Sequence, residues 1–328
     1  MGNTLLDIKG LSTVFKTEMG VFPAIKDVNL SLKKGETLCV VGESGSGKTI
    51  TSMSLMQLLP PSGRIETGEI LFQGSNLVNL SRKEMNKIRG KSIAMIFQDP
   101  MSALDPVYTC GYQITEAIQI HKKISKEEAN KQTLELLKQV GIPHPNTIFD
   151  TYPHELSGGM CQRVMIAMAL SCNPDLLIAD EPTTALDVTV QARILDLLNK
   201  IKKEFNMGIL LITHDLGVVA EMADRVAVMY AGQIVEETDV HTLFNHPKHP
   251  YTKGLIKSVP PLHRKDKSLY SIPGSVPSIS QMPKGCRFHP RCSFALDICK
   301  EKEPELELQE NHSQHKVKCW NIDEKGVI

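Results

Sequence analysis

Aromatic side chains are scarce, at 5% of the 328 residues with a single Trp, which argues against a surface built to stack bases. Excess charge is absent too. The 37 Lys and Arg balance the 37 Asp and Glu, so no bulk field draws the chain to polyanions, and no nucleic-acid partner is expected. No apolar run approaches the ~20 residues that cross a bilayer; the longest, such as Gly208 to Thr213, are strand-sized. The start, Met1 to Gly10, lacks the basic flank and apolar stretch of a secretory signal, and Leu6 breaks the myristoylation pattern. A cytoplasmic location is therefore expected. There is no internal repeat and no Cys-x-x-Cys knuckle among the eight cysteines; in a reducing compartment, metal binding, catalysis or plain burial are better readings for them than disulfides.

What the sequence does have is a phosphate-binding loop. Gly42, Glu43, Ser44, Gly45, Ser46, Gly47, Lys48 and Thr49 satisfy G-x-x-x-x-G-K-[ST] at every fixed position. The apolar run Glu36 to Val41 before it suits a buried parallel strand, and Ile50 to Leu59 after it suits a helix. The glycines let successive amides turn toward phosphate oxygens at a helix N-terminus. Lys48 is placed to reach the β- and γ-phosphates, and the Thr49 hydroxyl to ligate Mg²⁺.

Short alternating strands over Leu5 to Phe15, Val28 to Leu32 and Glu69 to Phe72 read as antiparallel and half exposed. From Ser81 to about Leu170 the pattern turns helical, with Ser125 and Glu128 as a capping box and Leu134, Leu137 and Val140 as an apolar stripe. An α/β alternation resumes in the strand Asp175 to Asp180, the helix Val188 to Phe205 and the strand Ile209 to Thr213, followed by strands over Arg225 to Tyr230 and Gln233 to Glu236. Beyond about Asn245, Pro, His, Ser and Lys dominate, and the expectation is a core of residues 1–245, with a helical subdomain at about 85–170, and a C-terminal extension of residues 246–328.

Two further segments carry chemistry. The apolar strand ending at Asp180 delivers a carboxylate suited to a Mg²⁺ shell, and Glu181 follows as a candidate general base or, alternatively, a helix-capping residue before Pro182. Ser157, Gly158 and Gly159, opening a helix to Leu170, form a second anion-binding device.

With two such devices in order, residues 5 to 245 resemble the ATP-binding cassette (ABC) family, whose signature is LSGGQ. The resemblance implies a P-loop NTPase of α/β class with an antiparallel β subdomain, a helical subdomain and a small, irregular, cysteine-containing extension. It also implies a head-to-tail dimer in which one subunit's signature caps the other's ATP. On that pattern Gln98 corresponds to the Q-loop glutamine and joins Thr49 and Asp180 around Mg²⁺, Glu181 is the general base, Asp187 belongs to the D-loop, and His214 is the switch histidine. Thr184 stands where Ser is more usual in the D-loop, and Met160 and Cys161 depart from the usual signature. Phe15, 33 residues before Lys48, corresponds to the aromatic that stacks on adenine, with Phe22 as competitor and core packing as the plainer role for either.

Phe97 to Pro106 and His246 to Leu255 are not needed by ATP chemistry. They resemble the D-type ATPases of dipeptide and oligopeptide importers, which implies two membrane permeases, an F-type ATPase as heterodimer partner (a homodimer being possible in isolation), an external binding protein, and a peripheral position on the cytoplasmic face of the membrane. Nickel importer ATPases share much of the pattern, and a soluble cassette acting outside transport is a third reading. Cys286, Cys292, Cys299 and Cys319 are separated by five, six and nineteen residues. That spacing suggests one four-cysteine site but matches structural zinc weakly; the family resemblance implies a [4Fe-4S] cluster instead.

Overall fold

The computed structural model describes residues 3–183, 186–259, 270–309 and 314–322. Its chain contacts divide into two compact units: residues 1–5, 32–36 and 79–211 form the first, and residues 6–31, 37–78 and 212–328 the second.

The first unit is built on two parallel strands, Ile93–Ile96 and Leu176–Asp180, registered so that Ile93 faces Leu176 and Ile96 faces Ala179. All their side chains are buried, which is why both read as unbroken apolar runs rather than alternating ones. Parallel pairing puts the two C-terminal ends at the same edge, so the residues just after Ile96 and Asp180 emerge side by side. The strand Ile93–Ile96 interrupts the stretch expected to be helical from Ser81 to Leu170. Four apolar residues cannot distinguish a short buried strand from a helical turn; its pairing with Leu176–Asp180 decides.

Around these strands lie the helices Cys110–His121, Lys126–Gln139, Gly158–Leu170 and Val188–Phe205. Only half of the expected capping box at Ser125 forms: its hydroxyl accepts from the Glu128 amide, while the Glu128 carboxylate accepts from Gln132. The long helix Val188–Phe205 starts at Asp187, whose carboxylate accepts from the Val190 amide, and ends at Asn206 in the left-handed region.

The second unit contains an antiparallel sheet in which Thr4–Thr17 lies between Gly20–Lys33 and Gly63–Phe72. The pairing runs from Leu6 opposite Phe72 to Phe15 opposite Gly63, with irregularities between Lys9 and Thr13. Leu6, Ile8, Leu11 and Val14 are buried, the interval lengthening to three residues where the register slips. The fully buried phosphate-loop strand Thr37–Val41 pairs in parallel with Arg225–Tyr230, and that strand turns back into Gln233–Asp239. The helix after the loop is Lys48–Leu55, not Ile50 to Leu59: Gln57 sits at φ 48°, and Pro60 and Pro61 follow, so the chain leaves the helix early.

The extension belongs to this second unit. Its lack of periodicity conceals a helix, Pro250–Ser258, and two-residue strands at Glu307–Leu308 and Lys316–Val317 that add to Gln233–Asp239. Fully buried His315 and Glu236 bond at 2.7 Å across this junction. Glu303 accepts from Lys26 at 2.7 Å and Lys318 at 2.9 Å, and also from Gln233. Burial works to raise its pKa, but these donors hold it down, to about 2.

Candidate functional site

In the second unit the loop from Gly42 to Thr49 wraps tightly enough that glycine is obligatory at two positions. A Cβ on Gly42 would overlap the Met229 carbonyl oxygen, and Gly47, at φ 105°, would meet Ile25 at 2.9 Å. Gly45 also sits at positive φ, in open space. The turn is tied down by Ser46 N–H donating to the Glu43 carbonyl at 3.2 Å and Gly232 N–H to the Ser46 carbonyl at 2.7 Å. Lys48, 6% exposed, donates its ammonium to the carbonyls of Gly42 at 2.7 Å and Glu43 at 3.0 Å. Those bonds hold the positive charge over the loop, while Ser44 and Gly45 stay exposed and Thr49 half-exposed at the start of its helix. His214 is exposed directly after the strand Gly208–Thr213. Phe15 is half-buried with its ring edge against Gly63, where a Cβ would come within 2.9 Å.

The first unit gathers the polar residues that sequence placed after its two strands. Asp180 ends its strand at 2% exposure. Glu181 next to it takes φ 48°, a left-handed conformation that turns the chain sharply at the strand end. The Gln98 amide donates to the Glu181 carboxylate at 3.0 Å, so 83 residues of separation close to one contact because the two strands run parallel. Gln162, buried, donates to the Pro182 carbonyl at 2.7 Å, fixing the turn from behind.

Ser157 occupies the N-cap position of Gly158–Leu170 without a side-chain cap bond. Its carbonyl accepts from Met160 and Cys161, and Ser157 and Gly158 are exposed. Among the described residues a Cβ on Gly158 would meet nothing within 4 Å, so their packing does not require that glycine. The Cys161 thiol is fully buried and donates to the Pro153 carbonyl at 3.3 Å, and burial raises its pKa. The nearby Cys110 thiol is pushed up to about 12, first by burial and then by Cys161. Both are core side chains, unsuited to thiolate chemistry. Cys39 is likewise buried and Cys172 half-buried. Thr184 and Ala185 of the expected D-loop lie outside the described residues; Asp187 beyond them is exposed and caps its helix.

Two residues that sequence reasoning did not select also meet the phosphate loop, and a third, Tyr230, backs one of them. The Glu43 amide donates to the Tyr251 hydroxyl at 2.8 Å. The Glu43 carboxylate receives both terminal nitrogens of Arg291, at 2.7 and 3.0 Å, and the Arg291 guanidinium lies 5.7 Å from the Tyr230 ring centroid. Tyr251 falls in the singled-out segment His246 to Leu255; no local pattern marks Arg291, 248 residues from its partner.

A family model described as ABC transporter matches residues 25–184. The oligopeptide transport ATP-binding protein OppD of Bacillus subtilis (strain 168) is 54% identical over 318 residues, 96% of this chain and 88% of that protein. The chain belongs to the ABC transporter family. A second model, for the C-terminal region of oligopeptide/dipeptide transporters, matches residues 235–299 of this ABC chain. The OppD protein of Haemophilus influenzae is 50% identical over 323 residues, covering 98% of this chain and 99% of its own length. Among solved structures, the dimeric ATP-binding cassette MJ0796 in a post-hydrolysis state bound to ADP and Pi superposes with a TM-score of 0.66 at 29% identity, covering 72% of this chain and 98% of that one.

ATP with Mg²⁺ is the nucleotide such a cassette takes, and the hydroxyl of Thr49, the carboxylate of Asp180 and the side-chain carbonyl of Gln98 are the hard oxygen donors that suit Mg²⁺. Cys286 and Cys319 are each pushed up to about 11, first by burial and then by the charges that other extension thiols would carry. Four thiols would suit iron or zinc chemically, yet among the described residues no three ligand side chains stand together at metal-holding distances. Of the histidines close in sequence, His289 is engaged with the Cys286 carbonyl at 2.9 Å and His315 with Glu236; His312 lies outside the described residues.

Proposed function

We propose that this chain is the ATP-hydrolysing subunit of a peptide importer. The observation that carries the reading is its near full-length likeness to oligopeptide transport ATP-binding proteins, which extends through both the cassette and the extension. Those relatives favour peptide over nickel as cargo, and membership in a transporter family argues against a cassette working outside transport. Among the described residues no helix is long and apolar enough to cross a membrane, which supports peripheral attachment at the cytoplasmic face through two permeases. The F-type ATPase is the proposed dimer partner, and an external binding protein supplies cargo.

In this reading residues 1–245 are the nucleotide-binding domain, with a helical subdomain at about 85–170, and residues 246–328 the extension. The amides from Gly42 to Gly47 and the Lys48 ammonium bind the β- and γ-phosphates, Thr49, Gln98 and Asp180 hold Mg²⁺, and Phe15 stacks on the base. Glu181 takes the proton of the attacking water, and Gln98, bonded to it at 3.0 Å, holds its carboxylate in place. His214 contacts the γ-phosphate. Ser157, Gly158, Gly159 and Asp187 serve the nucleotide of the second subunit, and the exposure of Ser157, Gly158 and Asp187 supports that role. Closure over ATP and reopening after hydrolysis differ by the γ-phosphate's contacts, and that difference is what the permeases receive.

The finer cofactor reading is a [4Fe-4S] cluster on Cys286, Cys292, Cys299 and Cys319, with zinc as alternative; what supports it is the gathering of four of the eight cysteines in the extension. Anaerobic purification with iron, sulfide and zinc analysis separates the two. For the transport reading, deletion of the gene is expected to stop uptake of labelled oligopeptide by whole cells and its return to restore it. Undiminished uptake in the deletion, with nickel accumulation lost instead, would sink the peptide assignment.

A further inference from the structure

Glu43 places a carboxylate inside a loop built to receive the most highly charged part of a nucleotide. Left alone, it would repel the phosphates. Two extension residues and one from the preceding sheet manage it. Arg291 grips the carboxylate through a bidentate fork at 2.7 and 3.0 Å and is only 5% exposed. Its remaining donors are spent on fixing the guanidinium: Nε donates to the Pro273 carbonyl at 2.8 Å, and one terminal nitrogen also reaches the Ile272 carbonyl at 3.3 Å. Tyr251, from the extension's helix, accepts the Glu43 amide, and Tyr230 lies under the guanidinium plane. The Glu43 carbonyl in turn accepts from Lys48. One residue of the loop is thus held at its amide and carboxylate by the extension while its carbonyl holds the phosphate-binding lysine.

We infer that Arg291 is a positioning residue for nucleotide binding, neutralising Glu43 and setting the shape of the phosphate loop from a part of the chain that lies outside the cassette motifs. The inference rests on residues 42–49 being the phosphate site. A planar, bidentate, dehydrated guanidinium is required for it, and a lysine, which offers a point charge without the fork, replaces it only in part.

The test is binding of N-methylanthraniloyl-ATP with Mg²⁺ to the full-length chain, followed by fluorescence, with melting curves to establish folding. Arg291→Gln is expected to weaken binding about tenfold, as an uncompensated carboxylate beside the triphosphate requires, and Arg291→Lys by a smaller factor. The deficit of Arg291→Gln should shrink at about 1 M NaCl, where the screening length falls to about 3 Å. Removing the carboxylate as well, in the double variant Glu43→Gln/Arg291→Gln, should recover most of the loss, which a merely structural arginine would not allow. Wild-type affinity in Arg291→Gln, or a double variant as weak as the single one, overturns the inference. Should Arg291→Gln not fold, Arg291→Lys is read in its place, and wild-type affinity there overturns it equally. Lys48→Ala is the separate control: if that chain binds the analogue normally, the phosphate-loop assignment itself fails, whereas loss of binding in Lys48→Ala with none in Arg291→Gln removes only the arginine's role.

Discussion

Glu181 is the residue on which chemistry and backbone geometry meet. Its φ of 48° is an uncommon conformation for a residue with a side chain, and such strain persists only where the surroundings hold it. Here the holding groups are the strand Leu176–Asp180 on one side, Pro182 with its Gln162 bond on the other, and Gln98 on the carboxylate. Gln differs from Glu mainly in charge and basicity, so Glu181→Gln should keep this turn and the ATP affinity while hydrolysis in the assembled importer falls about 10²- to 10⁴-fold, the usual worth of a general base. Hydrolysis at the original rate would remove Glu181 from the reaction. The signature thiol is a contrasting case. Cys161 looked like a substitution at the signature, but it faces the core and donates to Pro153, so its chemistry is packing.

The helix Pro250–Ser258 shows how an element with little sequence periodicity is fixed. His249 caps it, its Nδ1 accepting from the Tyr251 amide at 3.1 Å, and Pro250 supplies the first helical position. Tyr251, Tyr230 and Phe288 pack with ring centroids 4.7 to 5.4 Å apart, and His249 lies 5.7 Å from Phe288. Burial pulls the His249 pKa down to about 4. The folded protein therefore binds fewer protons there than the unfolded chain between pH 6.5 and 4, so this contribution is fully present above about 6.5 and is lost as pH falls through that window. Between pH 7.5 and 5 the loss should be about 2 kcal/mol, read as a falling melting temperature. In His249→Asn, which keeps a capping acceptor and cannot titrate, that part of the pH dependence should vanish; an unchanged profile would place the acid sensitivity elsewhere.

At the scale of the whole molecule, the phosphate loop and the extension share one compact unit, and Gln98, Asp180, Glu181 and the signature belong to the other. The extension is not an appendage tied on by a linker. His249, Tyr251 and His315 are buried, and the strand Lys316–Val317 pairs with Gln233–Asp239. The signature residues Ser157 and Gly158 are exposed, and among the described residues nothing packs against the position a Gly158 Cβ would take. The isolated chain should accordingly bind ATP yet turn it over slowly, with a rate that climbs when the second ATPase subunit is added. A full rate from the isolated chain at high dilution would contradict the need for a second subunit.

The phosphate loop, the strand ending in Asp180 and the helix from Val188 to Phe205 were legible because each is specified locally, by glycines at positive φ, an unbroken apolar run or a helical period. The strand Ile93–Ile96 was not, since four apolar residues take their conformation from the neighbour they pair with. The extension hid its order for the same reason: its two-residue strand Lys316–Val317 takes its conformation from Gln233–Asp239, far away in sequence. The sequence by itself determined that this chain binds nucleotide phosphate and which family it resembles, because those features rest on residue types at fixed short spacings. Only the tertiary structure decided that Gln98 meets Glu181 and that Arg291 meets Glu43, because contacts across 83 and 248 residues are set by strand pairing and packing, for which no local pattern is a sufficient cause.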